Sequence, residues 1–130
     1  MHDFRWPALI TLGVLVLLFV AAANVGRARG KYGIDAPAVS GNPNFERVFR
    51  VQMNTIESTL MFLPALWLFA AFVSGVWSAA PGTVWLIARV CYAIAYGQEA
   101  SKRGPAFGLS TAMIVVLTLG AAWGVVKVFM

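Results

Sequence analysis

The chain has 130 residues, the length of one domain, and 60% of them are hydrophobic while only 12% are charged. With a mean hydropathy of +0.77, this composition excludes an ordinary soluble fold. The formal net charge is +5, but the basic residues stand between apolar runs and do not follow one exposed face, which excludes a nucleic-acid-binding surface.

A single cysteine and a single histidine limit the chemistry that the chain can perform. Cys91 has no partner for an intramolecular disulfide, and His2 stands at the N-terminus, so no Cys- or His-based metal centre can form within one chain. Because Cys91 lies in an apolar run, we expect a buried, inert thiol. The sequence therefore predicts a protein without a bound metal.

Four apolar runs are long enough to cross a bilayer. We predict spans at about 7–27, 45–74, 82–97 and 105–128, all within one domain that covers 1–130. A cleaved signal peptide is the less favoured interpretation of the first run, because three further spans follow it. Glycine and proline mark a loop before the second span, and Asn44 is the predicted N-cap of that helix.

The distribution of charge predicts how the chain crosses the membrane. Basic residues cluster in the loops after the first and third spans, so the positive-inside rule places these loops in the cytoplasm and both termini outside. Trp6, Trp77, Trp85 and Trp123 fall near the outer span ends and predict an interfacial aromatic belt, whereas Trp67 should lie within the bilayer or the bundle. The host membrane is either a bacterial inner membrane or the endoplasmic reticulum.

Two stripes of polar residues interrupt the apolar runs. The first stripe is Arg47, Arg50, Asn54 and Glu57, and the second is Arg89, Tyr92, Tyr96 and Arg103. At about 100° per residue, each stripe falls within an arc of roughly 80° on one helix face. An ionised side chain at membrane depth costs roughly 2.5–3.5 kcal/mol on insertion scales, so such groups usually face the bundle interior and have a partner. We expect the stripes to meet toward the cytoplasmic half of the bundle.

The two stripes contain more arginines than acids. Glu57 could pair with Arg50 or Arg89 and hold helices together, but such pairing cannot neutralise every arginine. The remaining positive charge favours an anionic ligand. Tyr92 and Tyr96 either pack as interfacial tyrosines or direct their hydroxyls at the same ligand.

Two segments carry a resemblance to a known family. The first is FERVFRVQMNTIE (Phe45 to Glu57) with the preceding ARGKYGIDAPAVSGNP (Ala28 to Pro43), and the second is ARVCYAIAYGQEASKR (Ala88 to Arg103). The first resembles the signature of the MAPEG superfamily, membrane-associated proteins in eicosanoid and glutathione metabolism. The second is similar to the third helix and following loop of its microsomal glutathione transferase branch. This resemblance implies an all-α fold, an integral membrane left-handed four-helix bundle that assembles as a homotrimer.

The resemblance also implies a site for glutathione between adjacent subunits, toward the cytoplasm. The implied glutathione-binding residues are Arg50, Asn54 and Glu57 at the charged ends of the tripeptide, Tyr92 and Tyr96 lining the pocket, and Arg29 and Gln52 from the neighbouring subunit. Arg47 and Arg89 would have a supporting role as partners of acids. Arg103 would stabilise the thiolate as the catalytic residue, with Lys102 as the rival.

The function implied by the resemblance is that of a membrane-bound glutathione transferase or peroxidase. Glutathione would be the cosubstrate, and the second substrate, a lipophilic electrophile or a lipid hydroperoxide, would enter from the membrane lipid. Ser58 stands where some eicosanoid-making members carry an aromatic hydroxyl, and Tyr92 replaces a histidine of some prostaglandin-forming members, so a general activity is favoured. The alternative is a non-catalytic scaffold that binds lipid or glutathione. A four-span multidrug transporter is disfavoured, because the first span has no acidic residue.

Overall fold

A computed structural model describes residues 3–98 and 104–130, and these residues form helices and no strand. The helices are α1 (Arg5–Tyr32), α2 (Pro43–Phe72), α3 (Ala79–Gln98) and α4 (Gly104–Val128). Each of the four is long and apolar enough to cross a membrane. The predicted all-α, four-span membrane fold is thereby confirmed. The direction in which the chain crosses the membrane, the handedness of the bundle and its assembly stay predictions.

Helix α1 begins beside an ion pair and ends at a glycine. The Arg5 side chain donates hydrogen bonds of 2.9 and 2.8 Å to the Asp3 carboxylate, and these bonds hold the pKa of Asp3 below its ordinary value. The helix continues past Arg27, because a basic residue ends an apolar run without ending a helix. It stops where Gly33 adopts φ 67°, a left-handed conformation that favours glycine.

The N-cap of α2 is Asn42, so the prediction of Asn44 is wrong. Asn42 has an extended backbone, and its side-chain oxygen accepts hydrogen bonds from the backbone N–H groups of Asn44 (2.9 Å) and Phe45 (3.3 Å). Pro43 then occupies the first helical position, where its fixed φ suits the helix and its missing N–H costs nothing. The Asn-Pro dipeptide was the available signal for this boundary.

The four helices pack around a main apolar core, beside which lie two smaller buried clusters. Helix α1 contacts α2 and α3, and α4 contacts the same two helices from the other side. The core contains residues of all four helices, namely Ile10, Val14, Phe62, Ala65, Leu66, Trp85, Ile114 and Leu117. Its centre is Trp85, whose ring stacks on Phe62 with 3.9 Å between centroids.

The buried position of Trp85 contradicts its predicted place in an interfacial belt. Its side chain is fully buried, and its Nε1 donates a 3.2 Å hydrogen bond to Ser58 Oγ. Trp6, Trp77 and Trp123 are exposed. The expectation of a buried thiol is also wrong, since Cys91 is exposed on the outer surface of α3.

Glycines of α4 allow close contact with α2 at one end of the helix only. A Cβ added to Gly124 would lie 2.7 Å from the carbonyl oxygen of Phe72. A Cβ added to Gly108 would have no neighbouring atom within 4 Å. The bundle therefore requires a glycine at 124 and tolerates a side chain at 108.

We expect the substitutions Gly124→Ala and Gly108→Ala to have opposite effects on stability. The first should lower the free energy of unfolding by about 1–3 kcal/mol, because a backbone oxygen must move. The second should leave it unchanged or raise it by up to about 1 kcal/mol, since alanine favours a helix. Unfolding in detergent micelles with increasing dodecyl sulfate measures both, and equal shifts would contradict the helix contact.

Candidate functional site

A groove opens on the outer face of α2 and holds the three residues expected at the charged ends of a ligand. We call it the α2 groove; it has a volume of about 410 Å³. Its lining is Val39, Ser40, Glu46, Phe49, Arg50, Met53, Asn54 and Glu57. The structure thus brings Arg50, Asn54 and Glu57 together, as their helical spacing predicts.

The described residues that line the α2 groove have a negative formal charge in one chain. Arg50 is the one cation among them, whereas Glu46 and Glu57 are both acids. Sequence reasoning missed Glu46 as a site residue. Glu46 stands four positions before Arg50 and therefore lies on the same helix face. With these side chains the groove can bind one ammonium and one carboxylate of a ligand. A ligand with more negative charge needs further cations.

A hydrogen bond between described residues connects the two polar stripes. Asn54 Nδ2 donates to Tyr92 Oη across 2.7 Å. Tyr92 is fully buried, and its ring lies 5.6 Å from that of the buried Tyr96. In one chain the tyrosines therefore form the interior wall behind the α2 groove, and Asn54 connects this wall to the groove.

Arg89 lies in the interior of the bundle. Its side chain is fully buried, with Cζ 4.1 Å from the centroid of the Tyr92 ring. Nη2 donates to Thr55 Oγ1 on α2 at 3.2 Å, and Nη1 donates to Ser110 Oγ on α4 at 3.4 Å. Nε has no hydrogen-bond partner among the described residues. Arg89 thus ties three helices together beside Tyr92.

Pairing of Arg47 and Arg89 with acids is not observed among the described residues and stays a prediction. The partners of Arg89 are hydroxyl groups, and Arg47 Nη2 donates to the side-chain oxygen of Asn44. Within the described part of the chain, the recorded ion pair joins Arg5 and Asp3, far from both stripes. The alternative in which Glu57 pairs with an arginine of the stripes is likewise not observed there.

Arg29 holds the loop between α1 and α2 against the start of α2. Its Nη1 donates to the carbonyl oxygens of Ile34 (3.2 Å) and Ala38 (2.8 Å), and its guanidinium lies 5.1 Å from the centroid of the Phe45 ring. Both recorded hydrogen bonds use one nitrogen of a group with five N–H donors. Arg29 does not line the α2 groove of its own chain.

Gln52 lies on the opposite side of α2 from Arg50. Two residues correspond to a rotation of about 200°, which leaves the side chains about 160° apart around the helix. Gln52 is half-buried and, like Arg29, is absent from the lining of the α2 groove. One chain therefore presents these predicted site residues on two different faces.

Two predicted site residues cannot be placed, and two residues that contact Arg89 were not predicted from the sequence. Arg103 and Lys102 lie outside the described residues. Thr55 and Ser110 were missed, because a hydroxyl residue in an apolar run gives no periodic signal. Ser58 accepts its hydrogen bond from Trp85 inside the bundle and does not line the groove.

Comparison with known proteins identifies the family of this chain. The sequence profile of the MAPEG family matches residues 7–123. An uncharacterized protein of Synechocystis is 48% identical over 119 residues, which cover 92% of this chain and 87% of that protein. Human microsomal glutathione S-transferase 2 is 38% identical over 84% of this chain and 74% of its own length. Bovine leukotriene C4 synthase is 32% identical over 85% of this chain and 73% of its own. A four-span helical chain with this similarity along most of its length belongs to the MAPEG family.

Proposed function

We propose that this protein is a membrane-bound glutathione transferase that stabilises the glutathione thiolate for attack on lipophilic electrophiles. Family membership and relatives named as glutathione S-transferases support a glutathione-related membrane function. The structural observation that carries the proposal is the α2 groove, where Arg50, Asn54 and Glu57 lie together.

The chemistry of the groove suits one end of glutathione. The tripeptide carries two carboxylates, one ammonium and a thiol. Glu57 is the partner for the ammonium, and Arg50 offers a charge-assisted hydrogen bond to a carboxylate. Asn54 donates to Tyr92, so its side-chain oxygen is oriented by that bond. The second carboxylate and the sulfur need cations other than Arg50, which is the one cation among the described lining residues.

A neighbouring subunit would complete the site. Arg29 and Gln52 lie away from the groove of their own chain, so they can contact a ligand only when a second copy places that face beside the groove. This two-faced arrangement supports the homotrimer with glutathione between subunits. Arg29 would then add a cation to a groove with two acids and one arginine.

Arg103 would act on the sulfur. An ordinary thiol has a pKa of about 8.5, so only a few per cent is ionised at neutral pH. Each unit of pKa lowering requires about 1.4 kcal/mol of preferential stabilisation of the thiolate. A guanidinium beside the sulfur would supply one or two units and leave a nucleophile ready to attack an electrophile that enters from the lipid.

The experiment compares Arg103→Ala with Lys102→Ala. Bound thiolate is measured as ultraviolet difference absorbance when glutathione is added to purified protein in detergent. We expect Arg103→Ala to bind glutathione without the thiolate signal, and Lys102→Ala to keep both. Loss of the signal in Lys102→Ala alone would reassign the role, and an unchanged signal in both variants would refute thiolate stabilisation by this loop.

Turnover separates the enzyme from a non-catalytic scaffold. A transferase should conjugate glutathione to a chloronitrobenzene substrate at a rate that falls in Arg103→Ala. Binding of glutathione without turnover would favour the scaffold. Reduction of a lipid hydroperoxide is measured in the same preparation, and that peroxidase activity stays a prediction from the resemblance.

A further inference from the structure

A second groove lies between α1 and α3, and at one end Val48 and Val51 of α2 also line it. Two cavities, of about 540 and 300 Å³, share the lining residues Asn24 and Ala93 and therefore adjoin each other. We call them together the α1–α3 groove. None of its lining residues lines the α2 groove.

The larger cavity is apolar and opens outward. Its lining includes Val16 and Val20 of α1 and Val90 and Ile94 of α3, and all four side chains are exposed. At its far end the helices approach closely, since a Cβ added to Gly13 would lie 2.7 Å from Leu86 Cδ2. From Gly13 to Asn24 the helix rises about 16 Å, roughly half of the ~30 Å hydrocarbon thickness. This length suits one acyl chain of one leaflet.

The smaller cavity contains both basic residues of the groove, beside alanine and valine side chains of α1, α2 and α3. Arg27 and Lys31 line it from successive turns of α1, together with Asn24 and Tyr32. Both basic side chains are exposed, and none of the described residues that line either cavity is acidic. Arg27 lies just beyond the apolar run of α1, where the membrane interface is expected. The groove thus has an apolar half at membrane depth and a cationic end at the interface.

We propose that the α1–α3 groove binds one anionic phospholipid, with an acyl chain along the apolar half and the phosphate between Arg27 and Lys31. The charge of the phosphate complements two basic residues that form no ion pair within the part of the chain that the structure describes. The guanidinium, ammonium, carboxamide and phenol groups at this end can donate both to the phosphate oxygens and to the ester oxygens of a phospholipid, whereas a fatty acid offers only the two oxygens of its carboxylate. This site is independent of glutathione binding.

The test uses two phospholipids that differ only in the headgroup. Purified protein is incubated in detergent micelles with dioleoylphosphatidylglycerol or dioleoylphosphatidylcholine, and retained phospholipid is counted by native mass spectrometry after gel filtration. We expect a preference for the anionic lipid of up to about 30-fold, roughly fivefold for each basic residue near the headgroup. Arg27→Gln/Lys31→Gln should lose this preference.

Two further variants separate the groove from general charge. Lys127→Gln removes one exposed cation at the C-terminal end of α4 and should retain the preference. Ala93→Leu keeps every charge but fills the junction of the two cavities, and it should retain less of the anionic lipid. Glutathione binding measured on the same samples reports that each variant is folded.

The proposal fails if wild-type protein retains both phospholipids equally, as a non-selective lipid shell would. It also fails if Lys127→Gln loses as much preference as the double variant, or if oleate at the same mole fraction displaces the phospholipid. A change in oligomer mass for Arg27→Gln/Lys31→Gln would show that a second copy of the chain occupies the groove instead.

Discussion

Replacing Arg50 with alanine should weaken glutathione binding by roughly 10- to 150-fold. A hydrogen bond to a charged group contributes about 1.5–3 kcal/mol, and Arg50 is the one cation among the described residues that line the α2 groove. The loss of affinity should be larger than that caused by removing an ordinary surface charge, because two glutamates remain in the groove and repel the ligand's carboxylates. Isothermal titration of detergent-purified protein with glutathione measures the change.

The control for Arg50→Ala is Arg5→Ala, which removes an exposed arginine at the start of α1 and should leave the affinity unchanged.

Glu57→Gln tests whether Glu57 contacts the ammonium of glutathione. Glutathione without its α-amino group should bind wild-type protein more weakly and should lose little further affinity in Glu57→Gln. If the analogue and glutathione lose affinity equally in that variant, Glu57 does not contact the ammonium.

The sequence predicted the helices well because each apolar run is nearly unbroken. It predicted the ends of the helices less well, because a charged residue ends an apolar run whereas the helix itself can continue through it. Helix α1 therefore continues through Arg27 and Lys31 as far as Gly33, whose positive φ ends it. The same extension carries Lys31 onto the face of α1 that lines the α1–α3 groove.

The helical spacing predicted which polar residues share a face, but not which face turns inward. Asn54 and Tyr92 meet as expected, since each lies in the middle of its stripe. Arg50 lines an open groove whereas Arg89 is fully buried, although both are arginines within apolar runs. The difference depends on partners from other helices, such as Ser110, which no count along a single helix reveals.

A tryptophan near the end of a membrane span can lie at the membrane interface or in the core of the bundle. Contacts with other helices determine which of the two positions it takes. Trp77 is 73% exposed, as an interfacial tryptophan should be, whereas Trp85 is fully buried in the core. Trp85 stands eight residues after Trp77 and contacts two residues of α2. Phe62 offers it a stacking surface, and Ser58 accepts its hydrogen bond. Its indole N–H is therefore satisfied without water.

Trp85→Ala should be the most destabilising single substitution of the core, lowering the free energy of unfolding by about 3–5 kcal/mol. Helices in a membrane associate largely through close packing, and the cavity left by the indole would remove contacts to Phe62 that lipid cannot replace. Trp85→Phe keeps the stacking and should cost only about 1 kcal/mol for the lost hydrogen bond to Ser58. Trp77→Ala, at an exposed position, should change stability by less than about 0.5 kcal/mol. Unfolding in mixed micelles measures all three, and a loss in Trp77→Ala as large as that in Trp85→Ala would mean that the indole of Trp85 does not hold the four helices together.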